Sequence, residues 1–535
     1  ADCFLVACEK ETVCTLELEF PEGGSAKLEI VFPKTAIHTR MTESPIQVTR
    51  LLFPKGSTPL RIEGHAESYR CTLKVEDRGE FKEVEPNDCE EEAIEILEGQ
   101  TWRGQRSGYP AEQDWYRFQV KTAGPLEVIL KSKLGTQAPY KGTLTVTSGA
   151  PGIRQYTYQI DLLDDEFHFY PVLDPGAWLL QLTNYEDRPV GDAYELTVKP
   201  HSNKVTEGEK KAAEAAIERG VRYLLKIPER REENMISAAA ESMALAALSE
   251  GRGARERRDA LDRDFVSWLD QRFVKTGEVE AYWVERGIYT HTMATLGLAE
   301  AAANGSEKAK ELARRAAHFL ILSQNTERKP KEWNGPVAKR AKGYGGWRYD
   351  PESVSTDLSI AGWGIIALTA VDAAGVKVEG LRDAIEAAIE GVEELGDERG
   401  FGYENPSGAS DIHGSIGALV HLLYGIESTP LDIAKRHLDA YLWAGTQVDR
   451  GEDYPFYYLY YATRAQYLRG GDVWETWRST ALRQLLHRQK EDGSWAGIHF
   501  ESQPGPRWTT AVGVMMLRLC LNEPPKYLRV EAKGF

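Results

Sequence analysis

Apolar and polar residues alternate along the first part of the chain and then change rhythm near residue 204. The segments TLELEF, KLEIVF, CTLKV, WYRFQV, PLEVIL, GTLTVT and YELTV have the two-residue period of half-buried strands, and PEGG, PKGS, SGAPG and DPG turns interrupt them. Beyond residue 204, stretches rich in Ala, Leu and Glu follow the helical period. The pattern predicts a multidomain protein, all-β first and all-α afterwards. Within the β part, EVEPNDCEEEA at 83–93 separates two units. The expected division is a β domain over 1–82, a second β domain over 83–200, a helical domain over 204–526 and a C-terminal tail over 527–535.

The helical segments fall into pairs. EKKAAEAAIERGVRYLL precedes MISAAAESMALAALSE, DRDFVSWLDQRF precedes YTHTMATLGLAEAAA, and AKELARRAAHFLIL precedes DLSIAGWGIIALTAV. Three more pairs follow, ending with WETWRSTALRQLLHRQ and WTTAVGVMMLRLCL. In each pair the first helix has a polar stripe and the second is apolar nearly all round, as an outer helix touching water and an inner helix touching none would be. Six such pairs predict an (α/α)6 toroid.

Composition narrows the partners. The 535 residues carry a formal charge of −17, which repels phosphate backbones and anionic lipid, and no basic block is large enough to offset it. Nucleic acid is therefore not an expected partner. No apolar run reaches the ~18 residues of a membrane span. Cys3, Cys8, Cys14, Cys71 and Cys89 crowd the N-terminus, Cys520 stands alone in VGVMMLRLCL, and the chain begins ADCF without methionine. These features suit a mature exported protein, secreted or at the cell surface, with at least one N-terminal disulfide and a reduced, buried Cys520. Five is odd, so one N-terminal thiol is left free or joins another chain.

The second β unit resembles a known family. Glu85-Pro86-Asn87-Asp88, then Asp114-Trp115-Tyr116-Arg117-Phe118, DPGAWLLQL at 174–182 and a closing YELTV are similar to the bacterial pre-peptidase C-terminal domain, over residues 83–199. The resemblance implies a secreted β-sandwich acting as an accessory module, with calcium or a polymer bound in some relatives. Glu85, Asn87, Asp88 and Asp114 are the hard-oxygen candidates for calcium, or else they bond local backbone and hold turns.

The helical region carries a second resemblance. Gln489-Lys490-Glu491-Asp492-Gly493-Ser494-Trp495 looks like the glutamine-tryptophan repeat of squalene and oxidosqualene cyclases, and Gly345-Gly346-Trp347 like a second copy whose glutamine, Gln324, is displaced by an insertion. Residues 205–526 are thereby similar to the prenyltransferase and squalene-oxidase repeat family, which implies a terpenoid cyclase-like barrel of six outer and six inner helices. The glycine would permit a tight turn, the tryptophan would pack over a helix end, and the glutamine would satisfy orphan backbone groups. One such fold hosts unrelated activities.

Squalene-type cyclases protonate an alkene with the middle acid of Asp-x-Asp-Asp, whose neighbours stabilise the conjugate base. The comparable stretch here, Ser355-Thr356-Asp357-Leu358, holds one carboxylate. Protein prenyltransferases bind zinc through Asp, Cys and His. Asp357-Leu358-Ser359 and His413 resemble that set, but Ser359 stands where the thiolate should be, so zinc is not expected. Asp357, His413 and His291 then read as polar residues opening inner helices, where a cap contributes ~1 kcal/mol. The cluster Tyr454, Phe456, Tyr457, Tyr458, Tyr460 and Tyr461 is core or the wall of a polar-rimmed pocket.

The residues that would line such a pocket are His291, Trp347, Asp357, Trp363, His413, Tyr457, Tyr458 and Tyr461. The expected function is non-catalytic: binding of a surface protein or polymer, or assembly through the strand edges of residues 1–82, with no cofactor besides calcium. The alternative is an enzyme working at the toroid mouth on an isoprenoid or a glycan, with Asp357 as acid or base. A glycan-cleaving site needs a second carboxylate, for which Glu285, Glu404 and Asp453 are candidates.

Overall fold

The computed structural model describes residues 2–21, 26–31, 36–41, 46–64, 69–76, 90–105, 113–132, 140–148, 155–162, 166–169, 171–184, 193–226, 235–276, 279–284, 287–440, 455–497 and 505–529. The strand-rich unit ends at His201 and the helical unit begins at Ser202.

Alternation dictates the first two sheets. Strands β1 (Asp2–Cys8), β2 (Thr12–Glu19), β3 (Ala26–Val31), β4 (Ala36–Met41), β5 (Ile46–Phe53), β6 (Gly56–Gly64) and β7 (Arg70–Glu76) form a sheet of order β1-β6-β3-β4 and another of order β5-β2-β7. Leu16 and Leu18 from β2, Leu28 and Ile30 from β3, Leu51 and Phe53 from β5, and Leu60 and Ile62 from β6 enter one core. Burying each such side chain stabilises by about 1.5–3 kcal/mol.

Among the described residues no disulfide joins Cys3, Cys8, Cys14 and Cys71 to one another; Cys89, the fifth candidate, lies outside the described residues. Register keeps two of these pairs apart. Cys14 faces Val75 whereas Cys71 faces Leu18 on the same β2–β7 ladder, which separates the two thiols by ~13 Å along the strands, beyond the ~7 Å reach of a disulfide. Cys3 and Cys8 are an odd number of residues apart on β1 and point to opposite sides.

Strands β8 (Ile94–Glu95), β9 (Thr101–Gln105), β10 (Gln113–Val120), β11 (Gly124–Ser132), β12 (Tyr140–Ser148), β13 (Gln155–Leu162), β14 (Glu166–Phe169), β15 (Val172–Leu173), β16 (Gly176–Asn184) and β17 (Ala193–Pro200) follow. They form sheets of order β13-β12-β16-β10-β8 and β14-β11-β17-β9, with β15 on β11. Of the calcium candidates, Glu85, Asn87 and Asp88 lie outside the described residues. Asp114 is buried in β10 and accepts the hydroxyl of Tyr194, on β17 of the other sheet, at 2.6 Å.

The helical unit contains α1 (Glu207–Leu225), α2 (Met235–Ser249), α3 (Ala254–Leu261), α4 (Ser267–Asp270), α5 (Ile288–Ala303), α6 (Glu307–Ser323), α7 (Leu358–Ala373), α8 (Leu381–Glu393), α9 (Asp411–Tyr424), α10 (Thr429–Ala440), α11 (Pro455–Arg469), α12 (Gly471–Arg488) and α13 (Gly505–Cys520). A π-helical turn at Asp262–Val266 joins α3 to α4. The apolar helices α2, α5, α7, α9, α11 and α13 pack in that order, each on the next, and α13 packs on α2. The amphipathic helices lie against them, α6 on α5, α8 on α7, α10 on α9 and α12 on α11.

The turn motifs hold these layers together. Gln324 Nε2 donates to the carbonyls of Gly345 (2.7 Å) and Ala384 (2.8 Å), and Gln489 Nε2 to those of Ala216 (2.8 Å) and Gly493 (3.0 Å). The indoles of Trp347 and Trp495 donate to Leu320 and Leu485 at 2.8 Å each. Their rings lie so close to Gly364 and Gly513 that a Cβ at either glycine would come within 2.9 Å. A third copy uses Phe401, packed on Gly417. Lys526–Leu528 forms a 3-10 turn on α7 with Tyr527 and Leu528 buried.

Candidate functional site

Asp357 sits at the N-cap of α7 in extended conformation. Its Oδ1 accepts the amides of Ser359 (2.8 Å) and Ile360 (3.2 Å), two donors the helix cannot satisfy internally. Its own N–H donates to Trp347 O at 3.0 Å. The segments after Trp347 and Phe401 then meet the first amides of two apolar helices: Ile288 N donates to Tyr349 O and Leu358 N to Tyr403 O, both at 2.9 Å.

Those two bonds bring Tyr349 and Tyr403 together, and their hydroxyls share a hydrogen bond of 2.7 Å. Arg348 pairs with Glu404, and its guanidinium carbon lies 5.7 Å from the Tyr349 ring centre and 5.9 Å from that of Tyr403. The His413 ring is 5.4 Å from the Tyr403 ring. Its Nδ1 takes the Ser410 hydroxyl at 2.8 Å, and burial pushes its pKa down to about 4 despite a bond to the Gly408 carbonyl. Tyr349 remains 46% exposed.

Burial pushes the Asp357 carboxyl above the ordinary aspartate range, while the Tyr403 hydroxyl, the two amides and the Arg348 charge pull it back down. Oδ2 makes no well-formed hydrogen bond; the neighbouring Tyr403 hydroxyl is engaged with Tyr349. Ser359 is half-buried one residue into the helix. Among the described residues no group of three or more His, Cys, Asp or Glu could hold a metal ion. Glu285 and Asp453 lie outside the described residues.

Aromatic side chains fill the layer beneath. Trp363 donates to the Tyr457 hydroxyl at 3.1 Å, although α9 separates α7 from α11 in the cycle of packed helices. Tyr457 also bonds Tyr289 of α5 and lies 6.4 Å from Trp508 of α13, with 14° between the planes. Tyr461 closes the cluster at 5.4 Å from Trp363.

Three expected pocket residues stand elsewhere. His291 is fully buried, with Nδ1 accepting the Val284 amide (3.0 Å) and Nε2 donating to Ala316 O (2.9 Å), and burial pushes its pKa down to about 4. Trp347 packs on Gly364. Tyr458 turns toward Trp477 of α12, their ring centres 6.5 Å apart.

The opposite helix ends hold a cluster that motif reading passes over. Arg464 donates to the Tyr527 hydroxyl at 2.7 Å and lies 3.6 Å over the Tyr460 ring; Arg518 donates to the carbonyls of Ala247 (2.8 Å) and Glu250. Burial and the charge of Glu250 push Glu300 up to about 8, against the pull of Arg464, Lys526 and Arg529. Lone charges in apolar runs, such as Arg518 in MMLRLC, are the signal that could have found them.

No family model matches the chain, and no curated protein matches it. Among solved structures, it is similar to the pre-peptidase C-terminal domain of a collagenase from Bacillus anthracis, at 20% identity over 20% of this chain and 94% of that one, with a TM-score of 0.16. It is also similar to a D-mannose isomerase, at 13% identity over 60% of this chain and 100% of that one, with a TM-score of 0.43. A third is the type II terpene cyclase MstE from Scytonema, at 13% identity over 58% of this chain and 97% of that one, with a TM-score of 0.36. Both kinds of protein that the motifs resemble are thus among the structural neighbours.

Proposed function

We propose that the helical unit is an (α/α)6 toroid, supported by the cycle of packed apolar helices that returns from α13 to α2, and that it binds ligand at its rim without catalysis. The observation that carries this reading is Tyr349: an aromatic face 46% exposed, held by its carbonyl bond to Ile288 and its hydroxyl bond to Tyr403. Such a face is organised before binding, which lowers the cost of association. Flanked by the Arg348–Glu404 pair, it suits a neutral, hydroxyl-rich ligand such as a glycan, which can stack on the ring and bond the charged groups. The Trp363–Tyr457 bond across the lumen leaves aromatic side chains where a cyclase would need room for a folded polyene. Binding at this rim does not require export.

Calorimetric titration with neutral oligosaccharides tests the reading. The expected result is saturable binding that Tyr349→Ala weakens at least tenfold; heats absent across the series, or unchanged by the substitution, would overturn it.

One observation favours a second reading. Burial raises the Asp357 pKa and Oδ2 lacks a well-formed bond, the state of a carboxyl suited to donate a proton. On that reading Asp357→Asn abolishes turnover of a glycan or prenyl substrate.

A further inference from the structure

Strand β1 is the edge of its sheet, and among the described residues it pairs only with β6, along its whole length from Asp2 opposite Ile62 to Cys8 opposite Gly56. Among the described residues, its outer row of amides and carbonyls meets no other strand, the state of an edge that can accept one. Phe4 is 45% exposed and Leu5 is 70% exposed, on opposite faces of the same strand. From Cys3 to Cys8 the sequence CFLVAC holds no charge and no proline.

A second edge with exposed apolar side chains among the described residues, β7, is built differently. It exposes Leu73 and Val75 but carries Arg70, Lys74 and Glu76, and Lys74 and Arg70 pair with Glu17 and Glu19 of β2 at 2.6 and 3.6 Å. Charges of this kind blunt an edge. Among the described residues no charged side chain lies on β1 past Asp2.

We infer that β1 is a self-association edge, on which two copies of the chain pair antiparallel about a two-fold axis and join two four-stranded sheets into one. Charge decides the occupant. Each molecule carries −17, so two copies repel wherever acidic surfaces meet and approach best where a strand is uncharged. An uncharged strand is also its own complement, because a two-fold operation sets the same patch against itself without like charges opposite each other. Seven paired residues give a ladder of ~24 Å, and pairing covers Phe4 and Leu5 on the two faces of the joined sheet. The inference is independent of what the helical unit binds.

Light scattering of the full chain in reductant, over a range of concentrations, tests it. The expected mass is twice the 59.9 kDa of the chain. Leu5→Lys, with its fold checked by circular dichroism and thermal unfolding, should be monomeric, because a lysine at the centre of the ladder meets its own copy. Val75→Lys should dimerise as the natural chain does. Wild-type protein at the monomer mass throughout, a dimer that survives Leu5→Lys, or one that Val75→Lys dissolves would each overturn the assignment.

Discussion

Trp363 and Tyr457 meet across the helical unit, the indole N–H donating to the phenol oxygen at 3.1 Å although α7 and α11 are not neighbours in the cycle of packed helices. Both residues are buried. Removing the oxygen leaves an indole donor without its acceptor, so Tyr457→Phe should destabilise by about 1–3 kcal/mol. Trp363→Ala should cost about 3–5 kcal/mol, for it adds a cavity to the lost contacts. Urea unfolding of the full chain reads both, and a Tyr457→Phe protein as stable as the natural one would mean that this bond does not hold α7 to α11.

Gly513 and Trp495 define a second expectation. A Cβ at Gly513 would lie 2.9 Å from the buried indole, and the ring is anchored by its bond to Leu485. Gly513→Ala should therefore destabilise by about 1–3 kcal/mol through overpacking, against the usual helical preference for alanine over glycine. The same denaturation measurement checks it, with a gain in stability as the contrary result.

Glu300 gives a pH dependence with a definite sign. Its carboxyl is pushed up to about 8 by burial and Glu250, with Arg464, Lys526 and Arg529 as the opposing charges. The folded state therefore holds a proton that the unfolded chain has released above ~4.3. This group's contribution to stability is full below ~4.3 and is lost as pH rises toward about 8. Glu300→Gln keeps the protonated shape without the proton. Thermal melts should show the variant more stable than the natural chain at pH 9, with the difference shrinking toward pH 4; parallel curves would contradict this.

Much of the scaffold is legible in sequence because it rests on local rules. Alternation marks the strands, an acid before an apolar run marks the Asp357 cap, and Gln489 and Trp495 announce their turn. The third turn is hidden because Phe401 replaces the tryptophan, and only its packing on Gly417 reveals the equivalence. The rim is hidden for a different reason: Tyr349 and Tyr403 lie in separate loops and meet through amide bonds to Ile288 and Leu358. At the thiols, counting cysteines says nothing of the ladder register that keeps Cys14 and Cys71 apart.

Asp357 separates the two functional readings most sharply. As a cap, Asp357→Asn keeps the oxygen that accepts the Ser359 and Ile360 amides and should change stability little, whereas Asp357→Ala should lose ~1 kcal/mol. Unfolding of the two variants checks that difference.

The most direct measurement is oligosaccharide titration of the natural chain, Tyr349→Ala and Asp357→Asn side by side, with the sugar recovered and analysed afterwards. Rim binding without catalysis predicts intact sugar, unchanged affinity for Asp357→Asn and at least a tenfold loss for Tyr349→Ala. Cleaved or isomerised sugar that Asp357→Asn leaves untouched would contradict the account and make Asp357 an acid or base.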